Sequence, residues 1–140
     1  MFQHYSIQLK TTEPIQIIDI TDQVKDLCKQ SKIQDGLVLV ASSHTTAGVR
    51  INEKCEKLEA DLKKFLTDLV PPGASYQHNH ETLDGRNNAH SHLLAYLMGS
   101  RETVAIEKGQ LRLGGWQSVF FVELDGPRSL RNIEITIVGE

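Results

Sequence analysis

Cysteine is almost absent from this chain, which has only Cys28 and Cys55 in 140 residues. Two thiols cannot build a disulfide scaffold, and both fall on helical apolar stripes, where free cysteine packs as a small hydrophobe. Proline is also scarce, at four residues. No low-complexity linker and no internal repeat divides the sequence, so residues 1–140 read as a single domain. A chain of this size buries a core without staples. No apolar run approaches the ~18 residues of a membrane span. Met1-Phe2-Gln3-His4-Tyr5-Ser6 lacks a basic region followed by an apolar one, so no signal peptide is expected and the expected location is cytoplasmic, with no membrane partner. Basic excess is missing too. The net charge is −3 with both signs scattered, which argues against a nucleic-acid footprint.

What is present is patterned. Residues 2–9 alternate loosely and predict a strand, and residues 15–20 predict a second. Thr21 offers a helix N-cap before Val24, Leu27 and Cys28 at helical spacing. The apolar run 37–41 is short enough for a buried strand and leads directly into His44. A helix is predicted over 53–69, with Cys55, Leu58, Leu62, Phe65, Leu66 and Leu69 as its inner face and Pro71-Pro72-Gly73 as its stop. A loop then runs to about residue 88. A short helix over Ala89–Met98 follows, with Gly99 as its C-terminal cap. Strands are predicted at 103–106, 110–113, 116–123 and 133–138. The short spacers between them favour antiparallel hairpins. Helices and strands do not alternate regularly, so the expected class is α+β: one compact domain of antiparallel sheets and two to three helices.

Four of the six histidines, His78, His80, His90 and His92, lie within Tyr76 to Leu93. Imidazole is a common metal ligand and titrates near neutral pH, so the cluster points to a chemical site. Positions i and i+2 share a face only in extended structure, so at most one histidine of each pair need face a common site. His80 and His90 then read as solvated loop residues, and His4, in the first strand, as uninvolved. His44 follows a buried strand, where loops commonly carry site residues. Around it, Ser42, Ser43, Thr45 and Thr46 supply hydroxyls and backbone donors for an anion, and Ala47-Gly48 would let the backbone approach a ligand. Three imidazoles would make a metal site with an open position, or could bind phosphate if protonated. Gln117 beside Trp116, Glu123, and Arg128 after Asp125-Gly126-Pro127 add polar groups in strand context. Arginine is a natural bidentate phosphate partner.

Ordered motifs carry a resemblance over nearly the whole chain. They are His44-Thr45-Thr46-Ala47-Gly48-Val49-Arg50-Ile51-Asn52-Glu53, Tyr76-Gln77-His78-Asn79, Asn88-Ala89-His90-Ser91-His92-Leu93, Gly109-Gln110-Leu111-Arg112-Leu113-Gly114-Gly115-Trp116-Gln117 and Asp125-Gly126-Pro127-Arg128. The chain resembles the YjbQ-like family, which is associated with secondary thiamine-phosphate synthase activity. Its Gly114-Gly115-Trp116-Gln117 departs mildly from the family's usual Gly-Thr-Trp-Gln. The resemblance implies a compact α+β protein assembled as a homotrimer. It selects His44, His78 and His92 as metal ligands, with a divalent cofactor such as Zn or Mg. It implies His44, Glu53, Gln117 and Arg128 as catalytic residues and Thr45, Thr46 and Trp116 as cofactor contacts.

The activity implied is a transferase joining a pyrimidine diphosphate to a thiazole phosphate with release of pyrophosphate. The substrate is then a phosphorylated small molecule. A TIM barrel needs ~200 residues, so that architecture is excluded for this chain. Magnesium prefers carboxylate and phosphate oxygens, whereas three histidines suit zinc better. Two other functions use the same residue types: a metal-dependent hydrolase of a phosphate or related ester, and a non-enzymatic metal- or anion-binding module.

Overall fold

Alternating side chains lay down the first strand. β1 (Phe2–Thr11) turns Tyr5, Ile7, Leu9 and Thr11 toward the interior and leaves Ser6, Gln8 and Lys10 outside. The computed structural model describes residues 1–80 and 82–140. After β1 come β2 (Gln16–Asp19), α1 (Thr21–Ser31), β3 (Gly36–Ser42), β4 (Ala47–Glu53), α2 (Glu56–Leu69), α3 (Ala89–Met98), β5 (Arg101–Glu107), β6 (Gln110–Leu111), β7 (Gln117–Glu123) and β8 (Arg128–Gly139). One sheet has the order β1-β8-β3-β5-β6 and the other β2-β7-β4. Among the described residues every strand pair is antiparallel. The fold is α+β, with three α-helices among the described residues. No helix among the described residues is long and apolar enough to cross a membrane.

The main core fills the space between the sheets. Val38, Val40, Val104, Ile133, Ile135 and Ile137 from the larger sheet meet Val49, Val119 and Phe121 from the smaller, with Val24 and Cys28 of α1 closing one side. On the other face of the smaller sheet, Phe120, Val122 and Leu124 pack with Leu94 of α3, and Leu66 of α2 lies against them. The layers are therefore sheet, sheet, helices.

Several sequence expectations need correction. Residues 47–53 form β4, a strand not predicted from the sequence, and Glu53 ends it instead of opening a helix. Gly48 does serve a close approach, but to the chain itself: a Cβ there would lie 2.6 Å from the Gly99 carbonyl oxygen. Helix α2 starts at Glu56, after Cys55 in extended conformation, and none of its residues is buried. Its apolar stripe only half meets the sheet, leaving Phe65 and Leu69 more than half exposed. Cys28 is buried as expected, and burial pushes its thiol up to about 11. Cys55 is exposed, because it precedes the helix instead of facing inward from it. His90 is not a solvated loop residue. It sits in the first turn of α3, half-buried, and burial pushes its imidazole below the usual value.

Candidate functional site

A buried ion pair organises one end of the sandwich. Glu123 closes β7 in phase with the inward Val119 and Phe121, and Arg131 sits on β8 in phase with the inward Ile133, Ile135 and Ile137. Strand periodicity thus aims an acid and a base into the same interior space. Glu123 is fully buried and Arg131 nearly so. Arg131 Nε donates to Glu123 Oε2 at 2.7 Å, and Nη2 donates to Glu123 Oε1. Nη2 also donates to Thr46 Oγ1 at 2.9 Å. Thr11 Oγ1 donates to Glu123 Oε2 at 2.8 Å, and the Asp125 N–H donates to Oε1 at 2.9 Å. Burial alone would raise the Glu123 pKa. The hydrogen bonds from Arg131, Asp125 and Thr11 outweigh it and hold the carboxyl below its usual range.

A second carboxylate gathers the rest. Asp125 Oδ2 accepts from Asn88 Nδ2 at 2.8 Å and from Arg128 Nη2 at 2.6 Å, while Oδ1 accepts from Arg86 Nη2 at 3.1 Å. Burial again opposes ionisation, and these three donors overcome it, leaving Asp125 below the ordinary value. Three arginines thus surround two buried carboxylates, Arg131 buried with them and Arg86 and Arg128 part-exposed.

His44 stands above this framework, on the 43–46 loop between β3 and β4. Its Nε2 accepts the Asn132 N–H at 2.8 Å. The hydrogen of the neutral ring must then sit on Nδ1, which is left as a donor. Burial pushes the His44 imidazole below its ordinary value. The positive charges of Arg131 and Arg128 add to this, against the pull of Glu123. His92 comes from the first turn of α3, and the His78 ring meets it edge to face with centroids 4.8 Å apart.

Two adjoining cavities share His44, Thr45 and His92. The more polar one, about 300 Å³, also meets Thr46, Asp84, Asn88, Arg128 and Arg131, so one carboxylate stands among its donors. The other, about 490 Å³, runs past Ala47, Ala95, Tyr96 and Gly99 and has no acidic or basic side chain besides the two histidines.

The residues expected from sequence fall into two groups. His44, Thr45, Thr46, His92 and Arg128 line the polar cavity, and the exposed His78 does not line it but rests its ring against His92. Glu53, Trp116 and Gln117 do not join them. Glu53 pairs with Gln117 at one end of the β4–β7 ladder, whereas Ala47 pairs with Glu123 at the other. The separation is roughly 20 Å at about 3.3 Å per residue. Gln117 Oε1 instead accepts the Gly114 N–H at 2.7 Å and closes a turn, and Trp116 is largely exposed. Sequence reasoning passed over Arg131, Asn88 and Asp125 as site residues. A charged residue on the buried phase of a strand was the available signal for Arg131.

The donor set does not fit the expected metal. Among the described residues, no three His, Cys, Asp or Glu side chains are grouped to hold an ion. His44 has given Nε2 to a backbone N–H, and His78 Nε2 faces the Asn88 amide. Ligation by His44 Nδ1 would move the ring proton to Nε2, against the Asn132 donor. The expected metal site is therefore corrected to a group of imidazoles in which His44 and His78 are hydrogen-bonded and His92 rests against the His78 ring.

Residues 5–140 match the family described as UPF0047 protein YjbQ-like. The chain is 42% identical over 134 residues to a UPF0047 protein of Methanothermobacter thermautotrophicus, covering 96% of this chain and 90% of that one. It is 46% identical over 127 residues to a UPF0047 protein of Archaeoglobus fulgidus, covering 91% and 95%. A crystal structure from Sulfolobus solfataricus P2, described as a YbjQ-like protein of unknown function, superposes with a TM-score of 0.95 at 36% identity, covering 100% of this chain and 99% of that one. The relatives carry family names only, with no thiamine-phosphate synthase among those names. With Glu53 and Gln117 far from Arg128 and no metal cluster among the described residues, the transferase expectation is overturned, and the metal-dependent hydrolase falls with the same missing cluster.

Proposed function

The chain belongs to the YjbQ-like UPF0047 family, and for this member we propose that the corner holding His44 and His92 binds a phosphorylated small molecule. The observation that carries this reading is the joined pair of cavities. The compartment beside Arg128 has the donors a phosphate needs, and the compartment beside Ala47 and Tyr96 has the neutral walls an uncharged organic group needs. His44 supplies a donor at Nδ1, because Asn132 occupies its other nitrogen. Arg128 is only part-buried, and Asp125 engages its Nε and Nη2, leaving Nη1 for an oxyanion. Arg131 is satisfied by Glu123 and Thr46 and contributes positive potential from below.

Titration calorimetry with inorganic phosphate, phenyl phosphate and phenol tests the proposal. Phosphate should bind, phenyl phosphate should bind more tightly, and phenol should not bind. Arg128→Ala should weaken both phosphates about tenfold or more, the effect of losing one charge-assisted hydrogen bond. No phosphate binding at millimolar concentration, or an unchanged affinity in Arg128→Ala, would overturn the reading.

We also propose that the chain assembles as a homotrimer. Phe65 and Leu69 of α2 and Leu97 of α3 border one apolar groove and are each more than half exposed. Apolar surface of that kind marks a protein–protein contact.

A further inference from the structure

Asn88 stands where an asparagine ordinarily caps a helix, just before Ala89, yet its side chain makes no capping bond. Asn79 does that work from outside, its Oδ1 accepting the Ala89 N–H at 3.1 Å. The Asn88 side chain is buried and turned the other way. Its Nδ2 donates to Asp125 Oδ2 at 2.8 Å, and its Oδ1 lies 3.1 Å from His78 Nε2.

This arrangement fixes hydrogen positions by elimination. An ionised carboxylate only accepts, so the amide nitrogen of Asn88 must face Asp125 and the amide oxygen must face His78. An amide oxygen has no hydrogen to give, so His78 Nε2 carries it. Asp125 also anchors Arg128 through Oδ2. The same carboxylate therefore orients the part-exposed guanidinium and, through Asn88, a histidine on a different element.

We propose that Asn88 is the positioning residue of the site, holding the His78 ring with its Nε2–H on the Asn88 oxygen and, through that ring, setting the orientation of His92. His92 lines both cavities, and its ring meets His78 at 4.8 Å with an interplanar angle of 73°. A His78 ring free to flip would remove the fixed wall against which His92 rests. What His92 contacts rests on the phosphate-binding reading above; the tautomer of His78 does not.

Ring ¹⁵N shifts of the histidines, recorded about two pH units above the ordinary imidazole value, provide the test. In the native protein the two His78 nitrogens should be widely separated, with the protonated shift at Nε2. Asn88→Ala should collapse that separation toward the tautomer-averaged value, move the His92 shifts, and weaken inorganic phosphate binding about tenfold, the scale of a lost supporting contact. Asn79→Ala is the control. It removes the helix cap and should lower the melting temperature, while the His78 tautomer stays as in the native protein. An averaged or Nδ1–H His78 in the native protein would overturn the proposal whether or not any variant folds. So would an unchanged His78 in Asn88→Ala, or a collapse of equal size in Asn79→Ala. A fixed Nε2–H tautomer lost only in Asn88→Ala, in a protein that fails to bind phosphate, would sink the phosphate reading and uphold the role of Asn88.

Discussion

At the scale of single residues, the ion pair of Glu123 and Arg131 governs the site end of the molecule. Glu123 falls within a predicted strand, whereas Arg131 lies two residues before one, in phase with its buried positions. That they meet each other is not readable, since either could have met a different partner between the sheets. Removing one member leaves the other buried and uncompensated, which costs about 3–5 kcal/mol. Arg131→Ala should lose that much unfolding free energy near neutral pH by urea denaturation. The pH dependence should change sign as well. In the native protein the folded-state pKa of Glu123 lies below the ordinary 4.5, so its contribution is present above that value and is lost as pH falls through the folded value. Asp125, held below 3.8, behaves alike. In Arg131→Ala, burial acts on Glu123 without its main opposing partner and raises its pKa. The variant should therefore gain stability as pH falls from about 7 to about 5, a range where the native protein gains none from Glu123. Parallel pH profiles for the two proteins would refute this account of the pair.

Among the elements, β4 shows why a local reading failed. Val49 and Ile51 alternate with Arg50 and Asn52, a strand signal. The small Ala47 and Gly48 before them weakened it, and Glu53 resembled a helix start. The tertiary structure explains the small residues: the corner from α3 into β5 crosses β4 there. A Cβ on Gly48 would lie 2.6 Å from the Gly99 oxygen and 3.0 Å from the Met98 sulfur. The sulfur can move, whereas the backbone oxygen cannot without shifting α3. Gly48→Ala should destabilise the fold by about 1–3 kcal/mol, the usual penalty of overpacking, as measured by the shift in urea midpoint. Stability equal to the native protein would mean that the α3–β5 corner relaxes freely. Helix α3 itself was legible to its ends, because Gly99 stops it locally. Helix α2 was legible as an amphipathic helix, but its depth of burial was not.

For the whole molecule, the half-used stripe of α2 is a statement about assembly. A helix whose Leu62 and Leu66 are only half-covered, beside exposed Phe65 and Leu69, has apolar surface left over within one chain. Sedimentation equilibrium at micromolar concentration should give three times the chain mass, and Phe65→Glu should lower it to the mass of one chain, because an unpaired charge in an apolar contact opposes association. A native protein sedimenting as a monomer would refute the trimer.

The sequence by itself determined the α+β class, the antiparallel strand-rich half and the boundaries of α3. Those features arise from periodicity and stop residues within a few positions of one another. It also marked His44, His92 and Arg128, because each lies in a loop or first turn next to a clear element. Only the tertiary structure decided which marked residues share a cavity. The register of β4 on β7 sends Glu53 and Gln117 to the far end and brings Glu123 beside Ala47. The contact of Asn88 with Asp125 and His78 decides where a ring hydrogen sits. Register and side-chain partnership are set by strands and loops far apart along the chain, and no short window of sequence contains both partners.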